Sequence, residues 1–294
     1  MSLNREMLQV ARLSPKLLGE ATQLVASFLH GLHRDDGGYA NRAGESDLYY
    51  TSFAVSGLVA LQEKLPAESL NRYLGSFTDI ESLDLVHRAC LARVWTLLPA
   101  EGRSPDVRAA LLETSETFRT PDGGYNALPG TTQGTLYGCF LSLGLYQDLH
   151  CPMPEVDRMA ECIQSLRTKD GGFANSSDLP MGLTPTSSAA AALLRQLGKP
   201  VDLELRDWLL SRFSPEGGFR AAPEAPMPDL LSTATALHAL SSLGVDFRRI
   251  HEPCLDYIDS LWTARGGFHG TWEDDTLDCE YTFYGLLALG HLSV

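Results

Sequence analysis

A short glycine motif recurs along this chain of 294 residues and constrains its fold more than any other feature. Two glycines and an aromatic residue occur together five times: Gly37-Gly38-Tyr39, Gly123-Gly124-Tyr125, Gly171-Gly172-Phe173, Gly217-Gly218-Phe219 and Gly266-Gly267-Phe268. The first glycines of successive motifs are 86, 48, 46 and 49 residues apart. A nearly fixed period of this length is typical of repeat architectures. Because the first spacing is about twice the others, we predict a sixth unit that has lost its glycines.

Each unit combines two amphipathic segments, one before the glycines and one after them. In one such segment, helical spacing links the apolar residues Val156, Met159, Ile163 and Leu166. The glycines are expected to supply a left-handed helix cap and a close approach between chain segments, and the aromatic residue to fill the corner. The unmarked unit is predicted at 67–74 followed by 83–98. The second segments align on Thr51, Thr135, Thr186, Thr233 and Thr282.

The two segments of a unit differ in composition. The second segments are more apolar and richer in small residues, as in the run from Ser188 to Leu193, whereas the first segments carry the charges. This difference predicts an inner and an outer ring of helices. The last segment, 281–292, is as apolar as an inner one and offers no polar capping face. We therefore predict an all-α fold, a single (α/α)6 toroid domain of about twelve helices over 1–294, with a short N-terminal extension at 1–16 and a central funnel.

Composition limits the classes of function. Asp and Glu number 37 against 23 Lys and Arg, which gives a formal net charge of −14. The basic residues form no stripe, so we expect no binding to nucleic acid or to an anionic membrane surface. The six cysteines show no paired spacing, which favours a reducing, cytoplasmic location. No apolar run is long enough to predict a membrane span.

Two kinds of motif carry a resemblance to a known family. They are the Asp-Gly-Gly-aromatic turns and the inner-helix starts Asp47-Leu48-Tyr49-Tyr50-Thr51 and Asp278-Cys279-Glu280-Tyr281-Thr282. Over roughly 17–292 the chain resembles the beta subunits of protein prenyltransferases, especially the type II geranylgeranyl enzyme, and more distantly squalene and terpene cyclases. The resemblance implies an isoprenoid or similar lipid as the ligand of the funnel, and a helical alpha-subunit-like protein as a partner.

The positions that match the zinc site of that family depart from its pattern. The family uses an Asp and a Cys two residues apart at the start of the fifth inner helix, and a His before the Thr of the sixth. Here the Asp position is Asp229, but the Cys position is Leu231 and the His position is Tyr281. Because Leu has no lone pair to replace a thiolate, we expect no zinc and no other cofactor. The acidic run 273–275 has the charge to hold Mg²⁺, but no spacing rule makes it a metal site.

Two further comparisons with the resembling enzymes concern their chemistry. The family binds diphosphate with cations in the loop before Asp229, where this chain offers Arg220 as the nearby candidate for substrate binding. Cyclases protonate an alkene with an Asp-x-Asp-Asp motif, and Glu280 occupies the second acidic position of the matching stretch 278–281. The catalytic candidates are therefore Asp229, Asp278 and Glu280. For Asp229 and Asp278, capping of an inner helix is the alternative role.

Aromatic side chains at the inner-helix starts are candidates for lining the funnel, where such rings can stabilise a carbocation. Helical geometry favours Tyr50, Tyr281 and Tyr284 as substrate-binding residues. His87 and His238 have no partner at ligand spacing and are interpreted as structural. The leading hypothesis is a divergent, zinc-independent relative of the prenyltransferase beta subunit that binds an isoprenoid. The alternatives are a terpene-cyclase-type enzyme that uses rim carboxylates, and a non-catalytic toroid that binds lipid or protein.

Overall fold

The computed structural model describes residues 2–99 and 105–294. In these ranges the chain is mostly helical, with one short antiparallel hairpin of β1 (Tyr39–Ala40) and β2 (Ser46–Asp47). The α-helices are α1 (Leu3–Ala11), α2 (Pro15–Leu18), α3 (Thr22–Gly31), α4 (Leu48–Ala60), α5 (Ala67–Gly75), α6 (Leu85–Leu97), α7 (Pro105–Ser115), α8 (Leu136–Asp148), α9 (Val156–Ser165), α10 (Thr184–Gln196), α11 (Leu203–Leu210), α12 (Leu230–Ser242), α13 (His251–Leu261) and α14 (Cys279–Leu292). Single 3-10 turns occupy Gly19–Ala21, Ile80–Ser82 and Glu116–Phe118. None of the helices in the described ranges has both the length and the hydropathy needed to cross a bilayer.

The inner ring consists of α4, α6, α8, α10, α12 and α14. Each of these helices packs against the next one, and α14 packs against α4, so the ring is closed. The outer helices are α3, α5, α7, α9, α11 and α13, and each packs on one or two inner helices. The predicted all-α (α/α)6 toroid is confirmed, and the unmarked unit is the pair α5 and α6. The extent of the domain, one unit over 1–294, stays a prediction.

Burial explains why the outer helices are amphipathic and the inner ones are not. In the outer helix α9, Met159 and Ile163 are fully buried, while Asp157 and Glu161 on its other side are exposed. An inner helix such as α10 is covered by its neighbours on most sides, and most of its residues are buried. The apolar stripe of the outer helix and the apolar, small-residue composition of the inner helix follow from these two positions.

The glycine corners are turns rather than helix caps. The helix α3 ends at Gly31, several residues before Gly37, and Gly37 and Gly266 lie in loops with φ angles of +101° and +91°. Glycine adopts this left-handed conformation at little cost. A Cβ on Gly37 would lie 2.0 Å from the carbonyl oxygen of Ser69 in α5, and one on Gly266 would lie 2.1 Å from that of Leu24 in α3. The second contact joins the last unit to the first, so corners and outer helices interlock where the ring closes.

The aromatic residue of each corner is buried and is tied to its own inner helix. The backbone N–H of Tyr39 donates to Thr51 Oγ1 at 2.9 Å. The same bond recurs at the predicted positions Thr233 and Thr282. In the unit of Thr186 the acceptor is the neighbouring Ser187, and Thr135 is instead the N-cap of α8. The predicted alignment on Thr therefore holds in three units and is shifted in the other two.

The N-terminal segment forms a helix that closes one end of the ring. The helix α1 packs against α4, α8, α10 and α14. Its Leu3 and Leu8 are buried, and the N–H of Leu3 donates to Gln147 Oε1 at 2.8 Å, near the end of α8. The carbonyl oxygen of Val10 packs against Gly290, near the end of α14. A Cβ on Gly290 would lie 2.1 Å from this oxygen. The helix α1 is therefore the floor of the funnel, and the inner-helix starts form its rim.

Candidate functional site

An apolar chamber of about 330 Å³ occupies the centre of the ring. Every inner helix contributes side chains to its wall, and α1 contributes Leu3 and Met7 to its floor. A volume of this size is typical of small-molecule sites, which are largely apolar with a few polar groups. The ionisable side chains in the wall include Glu280, Arg93 and His238. The chamber therefore suits an apolar ligand that carries a small number of polar groups.

Aromatic rings form much of the chamber wall. Tyr49 packs edge-on against Phe53 with ring centroids 5.0 Å apart, and Phe53 packs against Tyr284 at 5.6 Å. Tyr137 and Phe140 of α8 add two further rings. Because the face of an aromatic ring attracts positive charge, this wall can stabilise a cation as well as contact an apolar chain.

Glu280 brings a carboxyl group to the chamber wall from the second position of α14. The hydroxyl of Tyr49 donates a hydrogen bond of 2.6 Å to Glu280 Oε1. The pKa of Glu280 is raised overall, mainly because the carboxyl group is buried, and the negative charge of Asp278 raises it further. The hydrogen bond from Tyr49 and the positive charge of Arg42 act in the opposite direction. A carboxyl group held in its neutral form in apolar surroundings can donate a proton to a ligand.

Asp278 lies at the rim, where its carboxylate makes structural hydrogen bonds. One of its carboxylate oxygens accepts the N–H of Tyr281 at 2.8 Å and so caps α14, and the other accepts Arg42 Nε at 2.7 Å. Arg42 also donates to Asp274 at 2.9 Å, and its guanidinium lies 5.5 Å from the ring centroid of Tyr281. Burial acts to lower the pKa of Arg42, but the hydrogen bonds and charges of the two carboxylates raise it overall. This cluster joins the loop of the first corner to the last inner helix.

Two other predicted site residues lie outside the chamber wall. Asp229 accepts the N–H of Ser232 at 2.7 Å and caps α12, and burial raises its pKa. Arg220 pairs with Glu216 at 3.4 Å and is partly exposed. The structure thus gives Asp229 the capping role that the sequence offers as an alternative, and it places Arg220 among the loops of the rim.

The predicted tyrosines divide between the wall and the rim. Tyr284 lines the chamber, whereas Tyr50 and Tyr281 are not among its lining residues. Successive residues of an α-helix point about 100° apart, and Tyr49 takes the inward direction that the sequence suggested for Tyr50. Tyr281 lies beside Arg42 and Gly270, and burial raises its pKa to about 12. A substrate-binding role for the two rim tyrosines stays a prediction.

The family model of the prenyltransferase alpha-alpha toroid domain matches residues 14–90 and 187–293. This chain belongs to the prenyltransferase alpha-alpha toroid family. The matched segments of this toroid protein include the rim pair of Arg42 and Asp278, and Glu280 at the chamber wall. No curated protein sequence shows significant similarity to it.

Solved structures of a terpene cyclase show the same fold at low sequence identity. A variant of type II terpene cyclase MstE from Scytonema in complex with its product, merosterolic acid A, has a TM-score of 0.62 and 14% identity, with 95% of this chain and 97% of that chain covered. A variant of the same cyclase in complex with its substrate, geranylgeranyl dihydroxybenzoate, has a TM-score of 0.58 and 15% identity, with coverage of 95% and 97%. Protein geranylgeranyltransferase-I from Candida albicans, complexed with GGPP, has a TM-score of 0.48 and 15% identity, with coverage of 97% and 82%. At these identities the likeness to the two cyclase structures shows the fold alone.

The positions that depart from the zinc pattern serve other purposes in this toroid. Leu231 lies in the chamber wall, and Tyr281 contacts the guanidinium of Arg42 at the rim. Within residues 2–99 and 105–294, no three His, Cys, Asp or Glu side chains are grouped in a way that could hold a metal ion. In the acidic run 273–275, Asp274 is an ion-pair partner of Arg42. Asp229, the remaining position of the zinc pattern, caps its helix.

Sequence reasoning missed three features of the site: the inward direction of Tyr49, the place of Arg93 in the wall, and the floor formed by α1. It also treated His238 as structural, although this residue lines the chamber. Arg93 and His238 are both the ninth residue of their inner helices. A comparison of the residues at the same position in each inner helix could therefore have found them.

Proposed function

We propose that this toroid binds an isoprenoid in its central chamber and starts the cyclisation of that ligand by transferring a proton from Glu280. The observation that carries the proposal is a carboxyl group with a raised pKa, hydrogen-bonded by Tyr49, in the wall of an apolar chamber. Type II terpene cyclases of the same fold support it by analogy, since one of them is seen with a geranylgeranyl substrate. The acid stands where the second Asp of the cyclase motif is expected.

The proposed step is balanced in protons and electrons. The O–H bond of Glu280 breaks, and the π electrons of the ligand's terminal alkene form a C–H bond to the released proton. The carbocation left on the adjacent carbon is attacked by the next double bond of the chain. Glu280 becomes a carboxylate that the Tyr49 hydroxyl stabilises. The final cation loses a proton to water, which gives a neutral product, and the hydronium ion formed reprotonates Glu280.

The wall and the rim have separate tasks in this proposal. Tyr49, Phe53 and Tyr284 place their rings around the chamber, where they can stabilise the cation and exclude water from it. We assign Tyr50, Tyr281 and Arg220 to the entrance, where they contact the outer part of the ligand. Asp229 and Asp278 hold the inner-helix starts in place, so Glu280 is the acid of the reaction.

The proposal retains the isoprenoid ligand of the prenyltransferase-like hypothesis but replaces prenyl transfer with cyclisation. Transfer of a prenyl group requires the acceptor cysteine as a thiolate, which the zinc of the family activates, and Leu231 replaces the cysteine that binds this zinc. An acid such as Glu280 has no role in that transfer. A helical alpha-subunit-like partner and a cytoplasmic location remain predictions. Light scattering of the isolated protein during gel filtration, with and without candidate helical partners, tests the first.

Conversion of geranylgeranyl compounds by the purified protein tests the proposal. We expect a cyclic product from geranylgeraniol or from a geranylgeranyl-substituted aromatic acid, detected by mass spectrometry, and its loss in Glu280→Gln. The matched control is Glu273→Gln, which changes an exposed acid near the same helix and is expected to keep the product. Transfer from geranylgeranyl diphosphate to a cysteine peptide would support the prenyltransferase alternative instead. Binding without conversion would leave the non-catalytic toroid.

A further inference from the structure

Two nitrogen atoms at the lower end of the chamber are buried without a hydrogen-bond partner among the described residues. They are Arg93 Nε and His238 Nε2, and both residues line the chamber wall. Buried polar groups in native proteins are paired in the great majority of cases, because an unpaired donor loses its hydration without compensation. Two side chains with such atoms in the wall of one cavity therefore point to a ligand with polar atoms at that end.

The repeat places these two side chains at the same depth on opposite sides of the ring. Arg93 is the ninth residue of α6 and His238 is the ninth residue of α12, and each helix starts at the rim. At 1.5 Å per residue, both lie about 12 Å below the rim. In a closed ring of six, α6 and α12 are three places apart, so they face each other across the funnel. Glu280, the second residue of α14, lies near the rim.

The contacts of Arg93 fix its guanidinium but leave its charge available. An Nη2–H of Arg93 donates to Asn4 Oδ1 of the floor helix, and Asn4 in turn donates to Asp148 Oδ2 at 2.7 Å. Burial raises the pKa of Asp148, with Arg93 and Asn4 opposing that rise. Within residues 2–99 and 105–294, Arg93 makes no ion pair with a carboxylate. A fixed, charged donor that reaches the chamber wall is suited to an anionic group.

His238 is held in one orientation by a second imidazole. Its Nδ1 lies 3.0 Å from Nε2 of His291, and both rings are buried. Burial lowers the pKa of both histidines, so both are neutral at physiological pH. When His291 Nε2–H donates to Nδ1, the proton of His238 is on Nε2, the atom without a partner among the described residues. The charged groups facing this pair are Glu6 and Arg195, which bind each other.

We infer that the chamber takes an amphiphilic isoprenoid whose carboxylate end is held at the floor between Arg93 and His238. The apolar chain then rises along the aromatic wall, and its terminal alkene reaches Glu280. The inference rests on the proposed function, to which it adds the substrate class and the direction of binding. Arg93 and His238 are binding residues in this account, and Glu280 keeps the role of the acid.

Affinities for a matched pair of probes test this inference. We expect geranylgeranoic acid to bind at least about tenfold more tightly than its methyl ester, because the ester lacks the charge that strengthens both hydrogen bonds. Arg93→Met and His238→Phe are each expected to remove most of that difference while the affinity for the ester is kept. The two variants lie on different helices, so if one of them fails to fold, the other still decides the question.

Arg248→Met is the matched control, because it makes the same substitution at a highly exposed arginine that does not line the chamber. It is expected to keep the preference for the acid. Equal affinities of acid and ester for the unaltered protein would overturn the inference and leave isoprenoid binding intact. A preference for the acid that survives in both variants would also overturn it. If neither probe binds, the proposed function itself fails, so the two failures can be told apart.

Discussion

The hydroxyl of Tyr49 in α4 donates a 2.6 Å hydrogen bond to Glu280 Oε1 in α14. The two helices come from the first and the last repeat unit, so this bond exists because the ring closes. It ties the acid to one position in the wall and stabilises its ionised form, in opposition to burial. The geometry of the repeat and the acidity of Glu280 are thus linked.

Tyr49→Phe is expected to raise the pKa of Glu280 further. The hydrogen bond from Tyr49 lowers that pKa, so its removal leaves burial less opposed. A reaction that needs the protonated acid loses rate as the pH rises through this pKa, and the loss should move to higher pH in the variant. The pH profile of the conversion measures the shift. An unchanged or lower midpoint would show that the hydroxyl does not stabilise the carboxylate.

Glu280→Gln is expected to change how stability depends on pH. A carboxyl group with a raised pKa in the folded protein keeps its proton where the unfolded chain has lost it. The contribution of Glu280 to stability is then largest at low pH. It falls as the pH rises from the ordinary pKa of 4.5 through the raised pKa of the folded protein. Urea unfolding at a series of pH values should show a smaller fall in the variant. Parallel curves for the two proteins would contradict the raised pKa.

Gly266→Ala is expected to lower the free energy of unfolding by about 3 kcal/mol, through left-handed strain and overpacking. The added Cβ would lie 2.1 Å from the carbonyl of Leu24 at a φ of +91°. Gly244→Ala is the matched control, because Gly244 has a φ of +74° and no atom within 4 Å of the added Cβ. It should cost only about 1 kcal/mol. Equal losses for the two variants in chemical denaturation would mean that the corner is not closely packed against α3.

Arg42→Ala is expected to destabilise the protein by about 1–2 kcal/mol, since it leaves the buried carboxylate of Asp278 with fewer partners. Arg248→Ala, which removes a highly exposed ion pair with Asp246, is the control and should change little. Thermal unfolding of both variants measures the difference. No loss of stability in Arg42→Ala would show that the rim cluster does not secure the closure.

The sequence was most informative where the repeat imposes the same local geometry several times. The spacing of the glycine motifs predicts the number of units, and the composition of the segments predicts which helices are inside. The sequence could not fix the rotation of α4, since Tyr49 and Tyr50 are adjacent and a step of one residue turns the side chain by about 100°. Nor could it reveal the floor, because α1 lies outside the repeat and carries no glycine motif.

The chamber itself depends on contacts between units that are far apart in the chain. Glu280 was found because it belongs to the motif at the start of the last inner helix, and Tyr284 because helical geometry places it inward from that motif. Arg93 and His238 carry no motif, and only closure of the ring brings them to opposite sides of one cavity. Asp229 and Asp278 illustrate the same limit, since a carboxylate at a helix start has the same sequence pattern whether it caps or catalyses.

The most direct test of the account is conversion of a geranylgeranyl substrate in D₂O, with mass spectrometry and NMR of the product. Protonation of the terminal alkene, (CH3)2C=CH–, by Glu280 predicts one deuterium on its CH carbon, because the tertiary cation forms on the dimethyl carbon, and it predicts no labelled product from Glu280→Gln. A cyclic product without deuterium at that carbon, or the same labelled product from the variant, would contradict the role of Glu280.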